Sequence, residues 1–364
     1  MKKVFPALAA LMFLLALISC ASAKKQAQSS KQTYIAVVSK GFQHQFWQTV
    51  YTGSDAAAKD LNLFITFEGP PSETNIDMQL EMIDAALSKK PAALCLAALD
   101  VDRLSDKLSA AKAAKIPVIG FDSGIPNAPV GTVVSTASTN NYAAGELAAD
   151  RLFEEASVKR RILSATSDKK VTIGIISQDT ISTSILERTH GFIVKFIKLS
   201  EAIHPGAVEV TGDKHFMKSS ENKAVVSLKI AIPATTEYAD CLVRSEELLS
   251  GTPDLIGVFC SNEGTVTGLL AATNEGADFD REKGVYKDIT VVGFDAGFSQ
   301  KHAIKKRYIY GSITQDPFQI GYLAVSLAYK AVKGEKLEAM YDTGCKFYNY
   351  ENIDDPDIAR LVYD

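Results

Sequence analysis

A chain of 364 residues is long enough for two domains, and its 46% hydrophobic and 23% charged residues give the balance of a globular protein. The net charge is −4, and no dense cluster of positive charge occurs beyond the extreme N-terminus, which argues against nucleic acid as a partner.

Lys2 and Lys3 precede an apolar run at 4–18, the basic-then-apolar pattern of a secretory signal. Its end, Leu17-Ile18-Ser19-Cys20, resembles the bacterial lipobox, in which Cys20 is lipidated and becomes the first residue of the mature chain. A plain signal cut at Ala21 or Ala23, or an uncleaved membrane helix, are the other readings. The run is short for a spanning helix, and the cysteine stands where the lipobox requires it. Residues 1–19 are thus expected to be a lipoprotein signal peptide and 20–33, small and polar, a flexible tether. The body is expected outside the cytoplasm, anchored to a bacterial membrane through Cys20.

From there, strand and helix alternate. Strands are predicted at 34–39, 63–67 and 92–98, with a helix ending at about 62 and helices at 74–89 and 105–115 between and after them. The stretch 40–47 reads as a polar loop turning into the first helix. Ile116-Pro-Val-Ile-Gly-Phe-Asp-Ser-Gly124 follows as a strand running into a glycine turn, and 130–135 gives another strand. The rhythm then restarts: helix 141–153, strand 171–176, helix 185–199, a short strand at 207–210 and a strand at 225–230. Helix 237–249, strand 255–260 and helix 263–274 come next. Ile289-Thr-Val-Val-Gly-Phe-Asp-Ala-Gly297, strand 308–314, helix 317–333 and a strand-like piece at 344–350 complete the chain. The polar segments near 159–170 and 211–223 read as added surface loops.

Six of nine positions are identical between the two Phe-Asp phrases. Each follows a helix, so each reads as a late strand of its own parallel sheet covered on both faces. Open α/β sheets bind ligands at the carboxyl ends of their strands. The predicted fold class is therefore α/β, two similar doubly wound parallel-sheet lobes with a cleft between them and Asp122 and Asp295 on its walls. Enzyme signatures are missing: no Gly-x-Gly-x-x-Gly turn follows the first strand, and there is no P-loop, Gly-x-Ser-x-Gly elbow or His-Glu-x-x-His pair. No cofactor is expected. Cys95, Cys241, Cys260 and Cys345 match no metal spacing, and a Cys241–Cys260 disulfide is left open. Asp278, Asp280, Glu282 and Asp288 do not fit a calcium loop and read as solvated.

Several phrases, in order, resemble the periplasmic sugar-binding proteins of the ribose and galactose type. They are Lys40-Gly…Phe46-Trp47, Lys90-Pro-Ala…Leu99-Asp, Asp122-Ser-Gly, Asn140-Asn-Tyr-Ala-Ala-Gly145, Glu187-Arg188…Gly191-Phe192, Pro253-Asp…Ser261-Asn262-Glu263, Phe294-Asp295 and Gln315-Asp-Pro. The resemblance covers 34 to about 352. It implies lobes of 34–138 plus 316–341 and 139–315 plus 342–364, joined by a three-strand hinge that closes on a ligand. It implies that Asp122 and Asp295 take sugar hydroxyls, that Arg188 and Asn262 donate to sugar oxygens, and that Gln315 contributes at the hinge. The aromatic pair Phe46 and Trp47 would sandwich the ring. Lys40, His44 and Asn140 are weaker candidates. The bland alternatives are a capping carboxylate for each aspartate, a solvated arginine, a helix cap for Asn262 and a hinge hydrogen bond for Gln315. Ala97-Ala98, where the ribose type carries an asparagine, and Asn140, where it commonly carries an aspartate, imply a ligand with other hydroxyl stereochemistry than ribose or with fewer polar groups on that side. The implied function is capture of a sugar or polyol by a monomer that delivers it to an ABC permease. A sensor passing occupancy to a chemoreceptor or kinase is the second reading, and an exported sugar-modifying enzyme the third.

Overall fold

The computed structural model describes residues 32–42 and 44–363; Cys20, the expected signal peptide and most of the tether lie outside the described residues. The chain begins β1 (Tyr34–Val38), α1 (Gln45–Asp60), β2 (Phe64–Glu68), α2 (Ile76–Ser88), β3 (Ala93–Leu96), α3 (Ser105–Ala113), β4 (Val118–Phe121) and β5 (Val133–Ser138). It continues through α4 (Asn141–Glu154), α5 (Ala156–Leu163), β6 (Val171–Ile176), α6 (Thr183–Glu201), β7 (Val208–Thr211) and β8 (Val226–Ala231). Next are α7 (Tyr238–Ser250), β9 (Leu255–Cys260), α8 (Glu263–Ala271), β10 (Thr290–Phe294), α9 (Phe298–Lys305) and β11 (Gly311–Gln315). The last elements are α10 (Pro317–Val332), β12 (Met340–Asp342), β13 (Cys345–Asn349) and α11 (Pro356–Ala359).

Two sheets form, in the orders β12-β5-β4-β3-β1-β2 and β13-β11-β10-β9-β6-β8-β7. Setting aside the extra edge strand β7, the two windings are the same, and β4 and β10 hold equivalent places. All pairings are parallel except that of β11 with β13, which is antiparallel. Strands β3, β4, β6, β9, β10 and β11 are buried at every residue. That is why runs such as Ala93-Leu-Cys-Leu96 show no polar alternation: helices cover both faces.

Each sheet is roofed by a helix pair crossing at glycines. A Cβ on Gly53 or Gly321 would stand 2.0 Å from a carbonyl oxygen of the facing helix, in α1 and α10. In α4 and α6 the same reciprocal contact occurs: a Cβ on Gly145 would meet Arg188 O at 2.1 Å, and one on Gly191 would meet Tyr142 O at 2.1 Å. The backbones touch, so no side chain fits between them.

The chain passes between the sheets three times, after β5, after β11 and after β12. The first and third passages are tied together. Asp342 Oδ1 accepts the N–H groups of Asn140 (3.0 Å) and Gly344 (2.8 Å), and the hydroxyls of Thr139 and Thr343 lie 3.4 Å apart.

Some expectations need correction. Residues 156–163 are not a surface loop but α5, because Glu155 accepts the N–H groups of Ser157 and Val158, and Val158 and Ile162 bury an apolar face. The segment after β7 is tied back to it by paired bonds between Val210 and Lys218. Cys241 and Cys260 are free thiols, both pushed up by burial. No group of acidic, histidine or cysteine residues able to hold a metal occurs among the described residues.

Candidate functional site

Immediately after β4 and β10, Asp122 and Asp295 adopt positive φ, 57° and 71°. The left-handed region is uncommon for a residue with a side chain, though aspartate tolerates it better than most. Matching bonds hold both. The Asp122 N–H donates to Ala137 O (3.0 Å) and the Asp295 N–H to Ile313 O (2.7 Å). The Asp122 carbonyl accepts from Ser138 Oγ (2.5 Å), and that of Asp295 accepts from Ser312 Oγ (2.9 Å) and the Tyr348 hydroxyl (2.9 Å). The repeated phrase is thus a repeated backbone turn, and both carboxylates line a small cavity between the sheets.

On the first sheet's side, Lys40 is 4% exposed. Its Nζ lies 2.8 Å from Asp122 Oδ2 and donates to the hydroxyls of Ser123 (3.0 Å), Ser182 (3.1 Å) and Ser184 (3.2 Å). Burial pulls this ammonium down, but Asp122 and Glu73 outweigh it and leave its pKa above the ordinary lysine value. Glu73 accepts from Trp47 Nε1 at 2.8 Å and from Gln178 Nε2 at 3.0 Å. Burial alone would raise its carboxyl; the charges of Lys40 and His44 and these two bonds bring it below the usual value instead. The Trp47 ring meets Phe46 edge-on at 5.0 Å and Phe121 at 6.3 Å.

From the second sheet, Arg188 reaches the cavity off α6. Its Nε donates to Asn141 Oδ1 (2.8 Å), its Nη1 donates to Ser261 O (3.1 Å), and its guanidinium lies 3.9 Å over the Phe294 ring. Asp295 accepts from Gln315 Nε2 (2.7 Å) and from the Glu263 N–H (2.9 Å). Burial lifts its carboxyl above the ordinary value despite Arg188 and these bonds. Gln315 Oε1 is buried and has no hydrogen-bond partner among the described residues. Glu263 is pushed up to about 7, chiefly by burial, with Asp295 adding to it and His44 and the N–H groups of Gln45 and Phe46 opposing it.

Polar bonds join the two sides: Lys40 to Ser182 and Ser184, Gln178 to Glu73, Ser72 and Thr74 to Glu237, and the Phe298 N–H to Gln45 Oε1 (3.0 Å). Bonds of this kind are worth little net against water and re-form with it, so such a closure can reopen. The space enclosed is about 30 Å³.

Residues 35–336 match the sequence profile of the periplasmic binding protein domain. The chain belongs to that family. This periplasmic binding protein is 26% identical over 327 residues to the ribose import binding protein of Salmonella typhimurium, covering 89% of this chain and 93% of that one. A solved structure from Brachyspira murdochii, described as an ABC transporter and LacI family transcriptional regulator, is 37% identical with a TM-score of 0.76, covering 92% of this chain and 100% of that one. An ABC transporter solute-binding protein from Agrobacterium vitis with bound D-fucose is 27% identical with a TM-score of 0.73, over 91% and 100% of the two chains.

In this periplasmic binding protein Lys40, His44, Phe46, Trp47, Asp122, Arg188, Asn262, Asp295 and Gln315 all line the one cavity. Two expectations are corrected. Phe46 and Trp47 lie in the first turn of α1, not in a loop, and both are buried (5% and 2% exposed) against the core of the first sheet. Asn140 is exposed and caps α4 by accepting the Ala143 N–H, because it stands at the helix start; its neighbour Asn141 is the buried one that holds Arg188. Asn262 performs its bland role as well, capping α8 through Thr265 while its amide nitrogen bonds Gln178. Sequence reasoning missed Glu73, Gln178, Ser123, Ser182, Ser184 and the part played by Glu263. Nothing in Pro71-Ser-Glu-Thr74 or Thr180-Ile-Ser-Thr-Ser184 marks these polar residues as buried.

Proposed function

We propose that the chain is an extracytoplasmic substrate-binding lipoprotein, tethered through Cys20, that captures one sugar or polyol by hinge closure and delivers it to an ABC permease. The observation that carries the reading is the cavity itself. Two carboxylates on equivalent strand ends, an arginine, two amides and an aromatic pair converge there from both sheets. Carboxylates and amides take vicinal hydroxyls in charge-assisted bonds, and an aromatic face covers a sugar's C–H surface. The three passages near 139–140, 315–317 and 342–344 would form the hinge, with lobes of 34–138 plus 316–341 and 139–315 plus 342–364. The closed volume of about 30 Å³ holds about one water, so a ring enters only when the serine bonds to Lys40 part and the two sides separate. The relatives named for ribose import and D-fucose support a neutral sugar.

A thermal-shift screen against pentoses, hexoses, inositols and nucleosides tests this. A ligand at a hundred times its dissociation constant stabilises by about 2.7 kcal/mol. Silence across the whole panel would sink the sugar reading.

A further inference from the structure

A second, larger cavity of about 420 Å³ opens at the mouth of the cleft, next to the first. His44 and Glu263 line both, so they form a shared wall between the mouth and the deep cavity. The mouth is built by both lobes: His44, Gln45, Pro71 and Ser72 on one side, the first turns of α7, α8 and α9 on the other. It therefore exists as a pocket only when the cleft is closed, as the bonds from Ser72 to Glu237 and from Phe298 to Gln45 keep it.

Its lining has the two kinds of surface a sugar ring needs. Tyr238 and Phe298 present rings that are 51% and 63% exposed, although each stands at a pocket edge where an apolar ring gains nothing from water. Its unpartnered polar atoms are all oxygens. Glu263 Oε2, Gln300 Oε1 and Thr236 Oγ1 are buried atoms with no hydrogen-bond partner among the described residues, and Gln300 is only 2% exposed. Gln315 Oε1, in the deep cavity, is a fourth. A buried acceptor left unpaired is costly, and such groups in folded proteins ordinarily find a partner. The two glutamine oxygens accept, while Thr236 and, when protonated, Glu263 also donate, so what would satisfy all four is a molecule rich in hydroxyls, which do both, running from the deep cavity to the mouth. Closed as here, the deep cavity at about 30 Å³ holds about one water and must widen to take even one ring, whereas the mouth already has the space of a ring.

We propose that the mouth is a second ring subsite, so that the preferred ligand is a disaccharide or O-glycoside, one ring at Asp122, Arg188 and Asp295 and the other at Tyr238, Phe298 and Gln300. This rests on the sugar reading above. The glycosidic oxygen then passes between His44 and Glu263. A free monosaccharide fills the deep cavity and leaves the mouth acceptors to water.

Isothermal titration of the protein separates the cases. The probes are D-glucose, D-galactose, D-xylose and D-arabinose, their methyl α- and β-glycosides, and maltose, cellobiose, lactose, melibiose and xylobiose. The expected result is a disaccharide bound about tenfold or more tightly than either component sugar, the worth of one or two added contacts. Phe298→Ala and Tyr238→Ala, both at exposed positions, then bring that disaccharide back toward the affinity of the single ring. Monosaccharides that bind while their methyl glycosides and every disaccharide are rejected would overturn the second subsite and leave the sugar reading standing. A disaccharide advantage untouched by both substitutions would also overturn it. Binding of no probe at all removes the sugar reading and this inference with it.

Discussion

Replacing Glu263 by glutamine tests the electrostatics of the cleft. The Glu263 carboxyl titrates at about 7 in the folded protein against an ordinary value of 4.5. Between those values the folded chain binds a proton that the unfolded chain has released. Stability therefore falls as pH rises through this window, since its slope follows the protons bound in the unfolded state minus those in the folded state. A shift of that size corresponds to at most about 3 kcal/mol, present in full below pH 4.5 and lost by about pH 8. Parting of the lobes would let water reach the carboxylate and cap the loss at a smaller figure. Glu263→Gln keeps the shape and removes the titration. Chemical denaturation at closely spaced pH values from 4.5 to 8 should thus show the variant gaining on the parent as pH rises, by roughly 1–3 kcal/mol at the alkaline end. Parallel profiles for the two proteins would refute the buried, proton-holding environment assigned to Glu263.

Three other substitutions address the remaining contacts. Lys40→Met leaves Asp122 and Glu73 without their buried cation, which for a broken buried pair costs about 3–5 kcal/mol; unchanged melting would show the pair to be solvated. Trp47→Phe removes the 2.8 Å bond to Glu73 and should cost about 1–3 kcal/mol by urea titration. Because Trp47 is the chain's single tryptophan, its emission in the unmutated protein should shift when a ligand closes the cleft, and an unresponsive spectrum during measured binding would place it outside the site. Gly145→Ala drives a methyl against Arg188 O at 2.1 Å, so the variant should lose about 1–3 kcal/mol and bind more weakly as Arg188 is displaced. Unaltered affinity would break the link between that helix crossing and the site.

Much of this was legible in the chain because it is local. A wholly apolar run such as Ala93-Leu-Cys-Leu96 marks a strand covered on both faces, and the twice-written Gly-Phe-Asp marks the same strand end in each sheet. The glycines at 145 and 191 stand in phrases that drew notice by resemblance, and the helix crossing supplies their physical reason. Glu73 and Gln178 could not be read. They lie over a hundred residues apart and become buried only against one another, across the closed cleft. The same cause hid the role of Asn141: its spacing from Arg188 is an accident of chain order, while α4 and α6 bring the two within 2.8 Å. Phe46 and Trp47 misled in the opposite direction. Polar neighbours suggested a loop, yet the first turn of α1 carries both rings inward.

The three passages between the sheets also govern when the protein can fold. The first sheet lacks its edge strand β12 and its covering helix α10 until residue 342 has been made, and the second lacks β13 until residue 349. A ribosome that has released the first 300 residues has therefore produced no finished lobe. Phe46, Trp47 and Val50 still await Ile320 and Ala324, the partners that share their core. Completion of either half waits on roughly the last eighth of the chain, and a chain cut short after Gln315 would leave both halves unfinished at once. Until its end is made, such a chain stays an open thread, since the residues that complete each sheet are the last to arrive.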